Sequence, residues 1–227
     1  FDYFSDHTYK NLKLSLLGEH QVENAALAIR TIELIINESA EVGLLFCAPP
    51  KLPRLNRGRG RGRAQKASLP ADSSSLIRKG LNQAFIPGRL EIIHRHPTVI
   101  LDGAHNPDKM KALVTAIKTI YPERQVISIV AIKEDKKSEE MLTQIFKISK
   151  KVIFTRFQLT ADTGIIKSYD PNELLNMAQS IEKTMPLLVV RDARDAVEKT
   201  IKSAKEGDII LVTGSLYLVG EVRKFLK

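Results

Sequence analysis

Two hydrophobic periods alternate through the second half of this chain. Short, nearly continuous apolar runs at residues 98–102, 125–132, 151–157, 187–190 and 208–213 (VILD, VISIVAI, VIFTRF, LLVV and IILVT at their cores) read as strands. Between and after them, apolar positions recur every three or four residues. That spacing predicts helices over 108–120, 138–149, 172–181, 193–204 and 215–225. In the first of these, Met110, Leu113, Val114, Ile117 and Ile120 form one stripe. Strands that are apolar at consecutive positions need cover on both faces. Their alternation with helices therefore implies an α/β fold, a mostly parallel Rossmann-like sheet flanked by helices.

The first third of the chain follows other rules. Residues 11–17 (NLKLSLL) alternate polar and apolar, as a half-buried strand does. From residue 19 to 36 the period becomes helical through Val22, Ala25, Ala26, Ile29, Ile32 and Ile36, with Glu33 the one break in the stripe. This predicts a buried, Ala-rich helix. Periodicity then stops. Residues 38–75 hold APPKLP, an Arg-Gly run over 57–63 and LPADSSS, a composition with too little apolar surface to offset chain entropy. We read this stretch as a disordered insertion or linker between residues 1–37 and 76–227.

Composition changes this picture little, but charge changes it locally. With 43% hydrophobic and 27% charged residues the chain is an ordinary globular protein. The net charge of +9 invites a nucleic-acid reading. Yet Lys51, Arg54, Arg57, Arg59, Arg61, Arg63 and Lys66 supply most of it within residues 51–66, which hold no acid. The remainder is nearly neutral, has no Trp, and argues against nucleic acid as a partner. The single cysteine, Cys47, excludes an internal disulfide and suits a reducing compartment. Cytoplasm is the expected location, with mitochondrion and plastid open. No apolar stretch is long enough to span a bilayer, so no membrane partner is expected. The chain begins without Met, as a fragment or a processed product would.

In an open parallel sheet, ligands sit beyond the carboxyl ends of strands. Two loops there are rich in chemistry. The first, residues 101–107, reads LDGAHNP. Asn106 and Pro107 make a helix start, and Gly103 permits a tight turn. Asp102 ends an apolar strand, so it must be solvated, paired or employed, and it is expected to face the ligand. His105 can bind an anion or move a proton. The second loop, Thr213, Gly214 and Ser215, opens a helix whose free N–H groups suit phosphate or carboxylate, or serve as a simple cap. Arg89, in a PGRLE cluster before the first of these strands, can clamp a phosphate or stay a surface residue. His94 and His96 share a face, but no third ligand is in register, so we read them as solvent-facing and expect no metal site.

Four stretches in this order, GEHQVENAALAI (18–29), PGRLEII (87–93), LDGAHNP (101–107) and GSLYLVGEV (214–222), resemble the folylpolyglutamate synthase/dihydrofolate synthase family of the Mur ligase superfamily. The GAHN form points to the folate branch. The resemblance implies an ATP-dependent ligase that activates a folate or dihydropteroate carboxylate as an acyl phosphate and joins it to L-glutamate. By position it implies ATP contacts for Asn24, Arg89 and Asp102, and catalytic roles near the incoming glutamate for His105 and Ser215. Residues 1–37 match the tail of the central ATPase domain, and 76–227 the C-terminal domain.

Two departures stand beside these matches. No P-loop pattern G-x-x-x-x-G-K-[ST] occurs, so the ligands for Mg²⁺ are expected in an N-terminal half absent from these residues, and the isolated chain is expected to be an inactive monomer. An acidic-basic-acidic triplet of the family becomes Asp135-Lys136-Lys137. The Arg-Gly run supports a second reading, a non-catalytic RNA-binding or regulatory paralogue.

Overall fold

The computed structural model describes residues 1–5, 7–41, 73–161 and 164–226. They divide into two units. The first comprises Phe1–Ser15 and His20–Ala84, the second Leu16–Glu19 and Phe85–Lys227. The Arg-Gly run, Cys47 and most of the expected linker lie outside the described residues.

In the first unit, β1 (Tyr3–Phe4) pairs antiparallel with β2 (Thr8–Tyr9), and helices α1 (His20–Glu41) and α2 (Ser73–Gln83) follow. Tyr9, Leu12, Ile29 and Ile77 form its core. The expected strand at 11–17 is absent. Burial still alternates, with Leu12 buried and Lys13 exposed, but Asn11 takes a φ of 55°, which breaks the extended backbone before a ladder can start. The helix expected at 19–36 is present and longer, yet its stripe is only partly buried: Ile29 is enclosed while Ile32 is 43% exposed. Glu33, the apparent interruption, is wholly buried and accepts hydrogen bonds from Ser5 Oγ (2.7 Å) and Arg30 Nη1 (3.3 Å). Helix α2 starts at Ser73, ahead of residue 76, and belongs with α1 rather than with the sheet.

The second unit contains β3 (Glu91–Arg95), β4 (Thr98–Leu101), α3 (Pro107–Ile120), β5 (Val126–Val130), α4 (Ser138–Ile145) and β6 (Ser149–Phe154). A hairpin of β7 (Gln158–Ala161) and β8 (Gly164–Lys167) follows, then α5 (Pro171–Ile181), β9 (Leu187–Val189), α6 (Ala193–Ser203), β10 (Ile209–Thr213) and α7 (Leu216–Leu226). Six strands make one sheet in the order β3-β4-β10-β5-β6-β9, parallel except for β3. Alternate residues of β4, β10, β5 and β6 enter opposite cores, whereas β9 at the edge leaves Leu188 44% exposed. Ile209 and Leu211 of β10 pack with α3, α4 and α5, while Ile210 and Val212 pack with α6 and α7. Burial on both faces explains the unbroken apolar runs, since each enclosed aliphatic side chain contributes roughly 1.5–3 kcal/mol.

Strand order, not strand content, creates the functional geometry. The chain leaves β4 and β5 into helices on one face of the sheet and leaves β10, which lies between them, into α7 on the other. Neighbouring loops therefore part at the carboxyl ends of these three strands and leave a crevice, the position where open α/β sheets bind ligands.

The helices that frame this edge are capped locally. Asn106 accepts from the Lys109 N–H (2.8 Å) with Pro107 at the first turn of α3, as the sequence anticipates. Asp170 caps α5. The Asn172 N–H (2.8 Å) and then the Arg191 guanidinium (2.8 Å) hold its carboxyl below the usual carboxylate range. Because the folded value is depressed, this carboxylate adds stability above about pH 5 and loses it as pH falls through the folded value. Asp170→Asn should thus melt below the unaltered chain at neutral pH and converge with it in acid. A constant gap across the pH series would remove the carboxylate's role.

Candidate functional site

At the crevice lies a cavity of about 370 Å³ lined by His105, Lys133, Lys136, Ser215, Leu216 and Tyr217. Each strand that flanks the switch of direction contributes. His105 follows β4, the lysines follow β5, and Ser215 to Tyr217 follow β10. The structure thus brings together the two residues expected near glutamate and adds two ammonium groups.

His105 is held at both ring nitrogens. Nδ1 lies 2.8 Å from the Gly103 carbonyl oxygen, which only accepts, so Nδ1 carries the proton. Nε2 then presents its lone pair to Lys109 Nζ at 3.1 Å. Ser215 is buried, and its Oγ accepts from the Tyr217 N–H (3.1 Å), closing the first turn of α7. The Tyr217 ring packs on Phe157 with centroids 5.6 Å apart. Lys133 and Lys136 share one counter-ion, Asp135 Oδ2, at 3.1 and 3.2 Å. Lys133 first, and then Lys136, hold the Asp135 carboxyl below its ordinary range. With Glu134 paired to Lys167 (3.0 Å), two lysines face the cavity against one carboxylate. An anionic group entering there completes the charge balance.

Asp102 does not face this cavity with free oxygens, as the sequence reading expected. It is only 7% exposed, and its Oδ2 accepts from the Leu90 N–H (3.0 Å) while Oδ1 accepts from the Ala104 N–H (2.9 Å). It braces two loops. One is the turn that carries Arg89, in which Gly88 (φ 67°) and Leu90 (φ 47°) are both left-handed. A leucine in that region costs about 1–2 kcal/mol, so the carboxylate holds a conformation the chain would not adopt alone. Arg89 itself is half-buried, and its guanidinium makes no hydrogen bond or ion pair among the described residues. Gly103 also differs from expectation in its reason. Its φ is not left-handed; Leu216 approaches so closely that a Cβ would fall 2.1 Å from Leu216 Cδ2.

The remaining expected residues fall elsewhere. Asn24 lies in the first unit, exposed near the start of α1, with Nδ2 donating to Gln21 Oε1 (3.0 Å). His94 and His96 are exposed on and after β3, and His94 Nδ1 lies 2.8 Å from the Pro97 carbonyl oxygen. Among the described residues no cluster of His, Cys, Asp or Glu is arranged to hold a metal ion. Nor is any described helix long and apolar enough to cross a membrane. Sequence reasoning missed Lys133 and gave Lys136 no ligand role. The Asp135-Lys136-Lys137 triplet was the available signal, but only its position opposite His105 makes it part of a site.

Comparison with known proteins assigns this architecture. Residues 89–226 match the family described as the C-terminal domain of dihydrofolate synthetase. The chain belongs to this family. A dihydrofolate synthase/folylpolyglutamate synthase from Bacillus subtilis is 28% identical over 220 residues, covering 96% of this chain and 42% of that protein. The solved folylpolyglutamate synthase of Thermotoga maritima superposes with a TM-score of 0.66 at 31% identity, covering 100% of this chain and 43% of its own. An E. coli FolC structure in complex with DHPP and ADP superposes with a TM-score of 0.67; at 21% identity this likeness speaks for the fold alone. The chain therefore spans less than half the length of these relatives, and within the family it corresponds to the sheet-bearing C-terminal part.

Proposed function

We propose that this chain supplies the C-terminal part of an ATP-dependent carbon–nitrogen ligase that adds L-glutamate to tetrahydrofolate, to dihydropteroate, or to both. The observation that carries this reading is the cationic cavity of His105, Lys133, Lys136 and Ser215 at the switch point of a sheet in this family. The first unit then corresponds to the end of a central ATPase domain and the second to the C-terminal domain.

In this reaction a carboxylate oxygen of the tetrahydrofolate or dihydropteroate substrate takes the γ-phosphoryl group of ATP, releasing ADP. The glutamate amine then attacks the activated carbonyl carbon, phosphate leaves with the C–O electron pair, and the amine loses a proton. Lys133 and Lys136 are placed to hold glutamate carboxylate. His105 Nε2 carries a single lone pair, which the exposed Lys109 ammonium meets; when Lys109 turns aside, that lone pair can accept a proton from the amino group of glutamate. Ser215 shapes the first turn of α7 beside it. We assign Arg89 to the phosphates of ATP, with Asp102 acting through the Arg89 turn; an ATP contact for Asn24, in the first unit, rests on the family resemblance alone. Positioned cations of this kind stabilise charge on a transferring phosphoryl group. The Mg²⁺ that such transfer employs would be bound by residues outside this chain.

Reconstitution tests the reading. The chain is fused to, or mixed with, the N-terminal ATP-binding part of the Bacillus relative, and incorporation of labelled glutamate into dihydropteroate and tetrahydrofolate is followed. The combination should ligate, the chain alone should not, and Lys136→Ala or His105→Ala should slow the combination at least about tenfold, the usual scale for a positioned acid–base or charge contact. Ligation by the chain alone overturns our account of its division of labour. A combination that hydrolyses ATP yet never incorporates glutamate overturns the function.

A further inference from the structure

We propose that Glu91 and Arg223 are positioning residues for Arg89, so that the last helix of the fold sets the aim of the phosphate-binding arginine. This inference rests on the assignment of Arg89 to an anion. Glu91, the first residue of β3, is buried, and each of its carboxylate oxygens is engaged. Oε2 accepts from the Gly88 N–H (2.8 Å), and Oε1 and Oε2 both accept from Arg223 Nε, at 2.9 and 3.0 Å. Its side chain is 7% exposed and that of Arg223 23%, so the pair is well shielded from water. A carboxylate so enclosed depends on its partner, and removing one member leaves an uncompensated charge.

The residues between these contacts are pinned from three sides. Gly88 N–H is held by Glu91 and Leu90 N–H by Asp102, while the Gly88 carbonyl oxygen accepts from the Gly103 N–H at 2.8 Å. Arg89 N–H donates to the Ile86 carbonyl oxygen at 3.2 Å. The backbone of Arg89 is therefore fixed on both sides while its guanidinium has no partner among the described residues. Two arginines divide the work. Arg223 neutralises the carboxylate that shapes the turn, and Arg89, on that turn, is left to meet an anion. Groups that orient a ligand-binding residue in this way typically contribute tenfold or more to affinity.

The test uses the chain combined with the N-terminal ATP-binding part of the Bacillus relative, ADP as the probe, and two readouts: ADP affinity and hydrogen exchange at the Gly88 and Leu90 amides. Arg223→Met should accelerate Gly88 exchange and weaken ADP by roughly tenfold, with protection of the β10 amides retained. Arg223→Lys, which keeps a cation, should recover part of both. Glu91→Gln, which keeps an acceptor for Gly88 but removes the charge, carries the same test if Arg223→Met does not fold. Arg89→Met should weaken ADP without changing Gly88 exchange. If Arg223→Met or Glu91→Gln leaves Gly88 exchange or ADP affinity at the original value while Arg89→Met lowers affinity, the positioning role is wrong. If Arg89→Met leaves the ADP affinity of the combination unchanged, the assignment of Arg89 fails and the inference falls with it.

Discussion

Asp102→Ala is expected to lower the stability of the second unit by about 3 kcal/mol and to release the Arg89 turn. Its carboxylate is the acceptor for the N–H groups of Leu90 and Ala104, residues that are 4% and 1% exposed. Each donor left buried without an acceptor costs roughly 1–3 kcal/mol. At about 2–4 °C per kcal/mol for a protein of this size, the melting temperature should fall by roughly 10 °C. Asp102→Asn should cost less, because one amide oxygen still accepts while the amide nitrogen faces the second N–H. A calorimetric midpoint for Asp102→Ala within a degree or two of the unaltered chain would show that the two loops keep their shape without the carboxylate. The same variant should also weaken nucleotide binding, since it frees the left-handed Leu90 next to Arg89.

Gly214→Ala is expected to be nearly as damaging, for a steric reason. Gly214 has a φ of 100°, and a Cβ there would meet the Ala131 carbonyl oxygen at 2.6 Å. That oxygen belongs to the chain leaving β5, and the Ala131 N–H itself donates to the Thr213 carbonyl oxygen at 3.3 Å. Relief of the clash therefore pulls apart the two loops that supply Ser215 and the lysines. The left-handed conformation alone costs an L-residue about 1–2 kcal/mol, and displacement of backbone adds to it. A total near 2–3 kcal/mol, with loss of any ligand shifts at His105 and Ser215 in NMR spectra, is the expected result. Gly220→Ala supplies the control. Gly220 lies within α7 with nothing within 4 Å of the added carbon, so alanine should leave stability unchanged or raise it by up to about 1 kcal/mol. Equal effects at the two glycines would refute the steric account.

These sites also mark where sequence reasoning succeeds. Four of the parallel strands are legible because each must be apolar on both faces, and the helices because each shows one stripe; α3 and β10 fall within a residue or so of their predicted bounds. The start of α3 is legible because Asn106 acts on an N–H group three residues away. Less was legible where pairing rather than period decides. The edge strand β3 and the β7–β8 hairpin carry mixed, partly exposed residues, and nothing local distinguishes them from loops. Residues 11–17 fail in the opposite sense: they have the alternation of a strand, but Asn11 bends the backbone.

What the sequence by itself determined is therefore the α/β class, the parallel character of the sheet, the loops that carry His105 and Ser215, and the family resemblance. The tertiary structure alone decided which loops meet. β10 is last in sequence yet lies between β4 and β5, and no local period encodes that order, because crossover packing sets it over residues far apart in the chain. This insertion places Ser215 beside Lys133, Lys136 and His105. Long-range contact likewise decided that Asp102 braces a turn instead of facing the cavity, and that Arg223 holds Glu91 across 132 positions of sequence.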